Sequence, residues 1–224
     1  MNSMYQQLMQ LPLFQGVSSD QITALVEKMP FHFLKFRNGD NIFVAGEPCT
    51  HIRFIVSGRV RLETPCAHLR VSLFQTLATP HVLAAENLFG RDTTYPCNAV
   101  ADGPCGILQL RKSDYIKMLG TDKVFLFNIL NYLSSGSQRY SSSIAAIKDG
   151  SLVERLAMLV DALVFNGAAD VTLRFKQKDL CTLLGTQRTT LVSTLNRLAD
   201  DEILEYDSNQ ISILDLKRLS EFLQ

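Results

Sequence analysis

Lys178-Asp179-Leu180-Cys181-Thr182-Leu183-Leu184-Gly185-Thr186-Gln187-Arg188-Thr189-Thr190-Leu191-Val192-Ser193-Thr194-Leu195-Asn196-Arg197-Leu198 is the stretch on which the reading of the fold turns. Leu180, Leu183 and Leu184 fall on one face of a first helix, and Leu191, Val192, Leu195 and Leu198 on one face of a second. Between them Gly185 stands where the chain needs a left-handed residue to turn sharply. The pattern is that of a helix-turn-helix. Outward on the second helix remain Gln187, Arg188, Thr189, Thr190, Ser193, Asn196 and Arg197. Such a face suits base edges in a DNA major groove, because Arg pairs bidentately with guanine, Gln with adenine, and Thr or Ser with either. The expected base readers are therefore Gln187, Arg188, Thr189, Thr190 and Ser193; Lys176, Lys178, Thr186 and Arg197 are the expected phosphate contacts. The alternative is an ordinary pair of helices with a solvated polar face. A strand pair directly downstream argues against it: Ile203-Leu204-Glu205-Tyr206, a turn at Asp207-Ser208-Asn209, then Gln210-Ile211-Ser212-Ile213. Asp215 can then cap a last helix carrying Leu216, Leu219, Phe222 and Leu223.

Upstream, Leu152, Leu156, Leu159, Val160 and Leu163 mark a helix ending near Asn166-Gly167, and the apolar pattern breaks at Lys148-Asp149-Gly150-Ser151. That break is the best domain boundary. Before it, one long helix is expected from about Asp122 to Ile147. Leu126, Leu130, Leu133, Ser137, Tyr140, Ile144 and Ile147 follow one another at spacings of 4, 3, 4, 3, 4 and 3, a heptad seam suited to pairing two copies of the helix. The stripe can instead pack on the preceding domain. Phe125, Phe127 and Ile129 add apolar surface beyond a single stripe, which favours two contact surfaces. From Lys35 to about Arg111 the chain is short alternating runs between turn signals such as Asn38-Gly39-Asp40, Gly46-Glu47-Pro48, Ser57-Gly58 and Asp102-Gly103-Pro104, the pattern of an antiparallel β domain. Ile52, Phe54 and Val56 alternate with Arg53 and Ile55 as a half-buried strand should. Ahead of it, Ser18-Ser19-Asp20 can cap a short helix with Ile22, Leu25, Val26 and Met29 inward. Three segments result: 1–121, an antiparallel β domain; 122–150, helix and hinge; 151–224, the helix-turn-helix domain.

With 46% hydrophobic and 20% charged residues in a chain of 224, disorder is excluded and a real core is affordable. No apolar run approaches the roughly 18–20 residues of a membrane span, and Met1 to Gln10 lack the basic and apolar regions of a signal peptide, so a soluble, cytoplasmic protein is expected. The five cysteines, Cys49, Cys66, Cys97, Cys105 and Cys181, are odd in number and form no Cys-x-x-Cys pair; they read as reduced thiols. His32, His51, His68 and His81 form no closely spaced ligand pair, so no metal site and no catalytic constellation is expected. A haem ligand among them is left open. Lys and Arg number 22, as do Asp and Glu, so net charge is zero, which alone argues against nucleic acid. The distribution reverses that. From Ser151 onward eight cations face eleven acids, but between Arg174 and Leu198 five cations face one acid. A small basic face of this kind predicts low non-specific affinity and binding concentrated on one surface.

The whole chain resembles the cyclic-AMP receptor protein / FNR family of bacterial transcription regulators. The resemblance rests on Gly39-Asp40, Phe43, Gly46-Glu47-Pro48, Ile52, Phe54-Ile55-Val56, Gly58, Val60 and Leu62, on Pro12-Leu13-Phe14 with Gly16, and on the order of β domain, long helix and winged helix-turn-helix. It implies an α+β architecture with an N-terminal cupin-like β-roll of the cyclic-nucleotide-binding type. It also implies a homodimer joined along the long helix, binding a palindromic operator and RNA polymerase, with a signal in the roll repositioning the DNA-binding domains. Cyclic-AMP binders of the family carry Gly-Glu-Leu and, about ten residues on, Arg-Ser-Ala. Here the Glu position falls on Ala85, with Glu86 one residue late, and the Arg position on Tyr95. A tyrosine cannot make the charge-assisted contact a phosphate needs, so weak or no response to cyclic AMP is expected. Glu86, Asn87, Arg91 and Tyr95 remain the candidates for another effector. No cofactor is expected, and FNR-type iron–sulfur ligation is not matched, since no cysteine precedes Cys49. The family's adjacent Arg and Glu, with a second Arg one turn later, correspond to Arg188, Thr189 and Ser193, so a different target sequence is expected. Two rivals stay open: a constitutive DNA binder whose roll is only a scaffold, and a cupin-like metalloenzyme with a vestigial winged domain.

Overall fold

The computed structural model describes residues 2–66, 70–146, 150–165 and 167–223, with side chains described for all of these except 2–5, 66 and 139–146. The chain forms two compact units. One comprises the residues up to Arg61 together with Leu77–Gly136; the other comprises Leu62–Thr76 and the residues from Ser137 on.

In the first unit, helices α1 (Asn2–Met9) and α2 (Ser19–Lys28) precede the strands. Ser18 caps α2 in a reciprocal box with Gln21, as the sequence indicates. Strands β1 (His32–Phe36), β2 (Asn41–Phe43), β3 (His51–Ser57), β4 (Arg59–Cys66), β5 (Val71–Ala78), β6 (His81–Leu83), β7 (Asn98–Ala101) and β8 (Cys105–Arg111) follow along the chain, most of β4 and β5 belonging to the second unit. β1, β8, β3 and β6 form one antiparallel sheet in that order, with Phe54 opposite Leu108 on one side and Val82 on the other. Ile52, Phe54 and Val56 are buried as expected, but so is Ile55, so at this point both faces of β3 are covered. Gly58 makes the turn into β4 with φ +81°; a Cβ there would lie 2.4 Å from the Pro104 carbonyl oxygen, which admits no other residue. Helix α3 (Lys112–Thr121) and, as far as Gly136, α4 (Lys123–Ala146) close the unit. Phe14 meets Phe54 and Phe125 edge to face, with centroids 5.4 and 5.8 Å apart, and Asn128 donates to the carbonyls of Leu13 and Gln15. These contacts fix which side of α4 is inward. Phe125 and Ile129 are buried, whereas Leu126, Phe127 and Leu130 are 38%, 59% and 48% exposed. Leu133 is half-buried and Ser137 exposed; the side chains of Tyr140 and Ile144, and all of Ile147, lie outside the described residues.

In the second unit, α5 (Leu152–Leu163), β9 (Ala169–Phe175), α6 (Gln177–Leu183), α7 (Arg188–Asp200), β10 (Leu204–Tyr206), β11 (Gln210–Ile213) and α8 (Leu216–Glu221) follow in order. Ser151 and Glu154 form a capping box at the start of α5. The core joins Leu152, Leu156 and Val160 to Leu180, Leu191, Leu195, Leu198 and Ile211. Two features go beyond the sequence reading. The reading assigns no strand between Gly167 and Lys176, yet β9 forms there, with Val171, Leu173 and Phe175 buried and Arg174 exposed. β9 also has two neighbours, β11 and β5, so β10, β11, β9, β5 and β4 make one antiparallel run. Gln75 of β5, fully buried, accepts from the Phe165 N–H at 2.8 Å and donates to the Leu163 carbonyl at 3.4 Å. It thereby satisfies a carbonyl left over at the end of α5.

Candidate nucleic-acid interface

The turn between α6 and α7 is held from both sides. Leu184 N–H bonds the Leu180 carbonyl at 2.9 Å and Thr186 N–H the Cys181 carbonyl at 3.0 Å, with Gly185 left-handed at φ +60° between them. Arg155 of α5 donates to the Leu184 carbonyl at 2.7 Å, and a Cβ on Gly185 would lie 3.3 Å from the same Arg155 nitrogen. No motif in the sequence marks Arg155 for this role. Its signal was an arginine one residue before the buried Leu156 on an apolar helix, a position where a cation needs a partner.

On α7, Leu191, Leu195 and Leu198 are buried, while Gln187, Arg188, Thr189, Thr190, Ser193, Asn196 and Arg197 are exposed. Val192 does not lie wholly inward as the spacing suggests; it is half-exposed and lines a shallow recess with Arg188, Thr189, Ser193 and Asn196. Gln187 occupies the position before α7 without capping it through its side chain. Asn196, though outward, is engaged: the Tyr206 hydroxyl on β10 donates to its Oδ1 at 2.5 Å and ties the β10–β11 wing to the helix. Arg197 sits in the last turn of α7, nine residues and so about 14 Å along the axis from Arg188, where a cation also complements the helix dipole. Lys176 and Lys178 are exposed at the start of α6 and Thr186 is half-buried. The arrangement presents one guanidinium and several neutral donors and acceptors at the N-terminal end of a helix that its wing steadies. That is the chemistry of reading base edges rather than of bond making.

The candidate effector residues have different surroundings. Tyr95 is buried, its ring stacked on Phe43 at 3.9 Å and 13°. The Arg53 guanidinium lies 5.3 Å from the Tyr95 centroid and 5.6 Å from that of Phe43, and it donates to the Tyr95 hydroxyl and, at 3.0 Å, to Gln109 Oε1. Burial pushes the Tyr95 hydroxyl well above the usual phenol range, so it stays neutral. Burial likewise raises the Cys49 thiol beside it. Glu86 is exposed and accepts from the Tyr132 hydroxyl at 2.8 Å; Arg91 is exposed; Asn87 is half-buried. Among the described residues no group of three His, Cys, Asp or Glu side chains is placed to hold a metal ion, and no helix is long and apolar enough to cross a membrane.

Antiparallel sheets, a long helix and a winged helix-turn-helix, in that order, define a DNA-binding transcription regulator with a cyclic-nucleotide-binding-like domain, and not an enzyme. Comparison with known proteins agrees. A cyclic nucleotide-binding domain model matches residues 33–122 and a Crp-like helix-turn-helix domain model residues 152–222. The CRP-like cAMP-activated global transcriptional regulator of Mycobacterium tuberculosis is 22% identical over 219 residues, covering 93% of this chain and 94% of that protein. Of solved structures, the catabolite activator protein of Thermus thermophilus superposes with a TM-score of 0.50 at 19% identity, over 95% of this chain and 98% of that one. The c-di-GMP responsive global regulator CLP of Xanthomonas campestris superposes with 0.52 at 15% identity, over 88% and 99%. The chain belongs to the Crp/Fnr family of transcription regulators.

Proposed function

We propose that this regulator acts as a cytoplasmic homodimer that binds a palindromic operator through α7 and works on RNA polymerase from there. In this reading residues 1–121 sense, 122–150 join the subunits and transmit, and 151–224 bind DNA. Gln187, Arg188, Thr189, Thr190 and Ser193 read bases, and Lys176, Lys178, Thr186 and Arg197 hold phosphates. The observation that carries the reading is the exposed, acid-free first turns of α7, directly after the turn at Gly185. The test is binding of the purified protein to fragments of its own promoter region at low salt, with and without cell-extract small molecules; no binding in either condition sinks it. Within it, Arg188→Ala is expected to cost about 1–3 kcal/mol and relax specificity at one base pair; uniform weakening on all sequences would make Arg188 a phosphate contact instead.

The signal is a small molecule other than cyclic AMP. Tyr95 supplies no charge for a cyclic phosphate, and the only arginine bonded to it, among the described residues, is already committed to Gln109 and two rings. Calorimetric titration with cyclic AMP should give no heat. The same packing favours a second reading, in which the roll is a filled scaffold and DNA binding is constitutive. Equal operator affinity with and without extract would select it, since an effector with no preference between two states shifts neither.

A further inference from the structure

We propose that Arg70, at the foot of β5, is a DNA-phosphate contact, so that the start of β5 takes part in DNA binding alongside α6; the inference rests on the reading of α6 and α7 given above. β5 is docked on β9 in a fixed register, Val71 opposite Phe175, Leu73 opposite Leu173 and Phe74 opposite Thr172. Gln75 buries two hydrogen bonds behind it, and the Arg174 guanidinium lies 4.4 Å from the Phe74 ring centroid. One step beyond Val71 and Phe175, the register sets residue 70 across from residue 176, the position immediately before α6.

At that place the structure gathers like charges. Arg70, Lys176 and Lys178 line one recess with Asp179. Arg70 Nη1 approaches Asp179 Oδ1 at 3.3 Å, but the Arg70 side chain is 75% exposed. An exposed pair of this kind holds weakly, and it leaves three cations around one carboxylate. Three cations lining one recess with a single carboxylate repel one another, a cost with no structural return. Arg70 is also left-handed, φ +54°, an uncommon state for a residue with a side chain. A phosphate group removes the repulsion and accepts the planar guanidinium bidentately. The first helix of a helix-turn-helix crosses the DNA backbone, and the recess lies at its start.

The experiment uses the full-length protein on a palindromic operator selected in vitro with the wild type, and reads affinity across a salt series. Arg70→Ala should reduce the slope of log K against log salt by about 0.9 per subunit, and should weaken all sequences alike. Arg70→Lys should keep the slope, and Asp179→Asn, freed of the competing carboxylate, should bind more tightly at low salt. If Arg70→Ala melts early, Arg70→Gln carries the same comparison. A wild-type slope in a folded Arg70→Ala or Arg70→Gln protein overturns the proposal while leaving Arg188 and α7 as read. A slope that is unchanged on DNA, with a wild-type-only response to inorganic phosphate, assigns the recess to a small anion and also overturns it. Failure of the wild type to bind any operator overturns both readings at once.

Discussion

Gln75 shows how one polar side chain can set the stability of a unit. Fully buried, it is tolerated because both its amide groups are bonded to backbone at the end of α5. Gln75→Leu keeps the volume but strands the Phe165 N–H and the Leu163 carbonyl. It is expected to cost about 1–3 kcal/mol for the orphaned groups, read as a lower urea midpoint. His51 acts through charge instead. Burial first, then the Arg53 and Arg111 guanidiniums, lower its pKa below the usual histidine value. Protons therefore bind the unfolded chain more readily than the folded one. The stability this contributes is full above the unfolded pKa, near 6.5, and is lost as pH falls through the lowered folded pKa. His51→Gln should flatten that acid-side decline in denaturation profiles; an unchanged profile would show that another group governs it.

Among the elements, the α6–turn–α7 unit was the most legible in the sequence, because both helices keep a leucine face at 3.6-residue spacing and the turn needs one particular residue, Gly185. Its support was less legible. Arg155 reaches the turn from α5, 29 residues away in sequence, and no local pattern announces a contact of that separation. Arg155→Met should cost about 1.5–3 kcal/mol, the range for a hydrogen bond from a charged donor, and should speed amide exchange at Gly185 and Thr186. Normal protection at those two amides would mean that the turn holds itself. β9 is a different case: Val171, Leu173 and Phe175 alternate with Thr172 and Arg174, so the strand's period is present, but a single short run between two helices carries no turn signal that marks it as a strand. The burial of Tyr95 could not be read at all. It depends on Phe43 and Arg53, brought together only by the closing of the roll.

For the whole molecule, the apolar face that α4 leaves open at Leu126, Phe127 and Leu130 bears on assembly. The sequence indicated two contact surfaces on this helix. Phe125 and Ile129 are buried, while Leu126, Phe127 and Leu130 are three large side chains in contact with water on a helix that needs packing to persist. A Phe127→Glu, Leu130→Glu double variant should sediment as a monomer at concentrations where the parent sediments as a dimer, with the melting of the roll little changed. Dimer mass retained in that variant would place the subunit contact elsewhere.

The strand pairing of β5 with β9 also bears on how such a protein can be recombined. Regulators of this architecture invite exchange of their DNA-binding halves by a cut at the hinge. Here a fragment starting at Ser151 would leave behind the segment Leu62–Thr76, baring the edge of β9 and the end of α5. An uncovered edge recruits foreign strands. A transplant that keeps this domain soluble must therefore carry two separate pieces of the gene, and lineages that shuffle these halves should exchange Leu62–Thr76 together with the helices it accompanies.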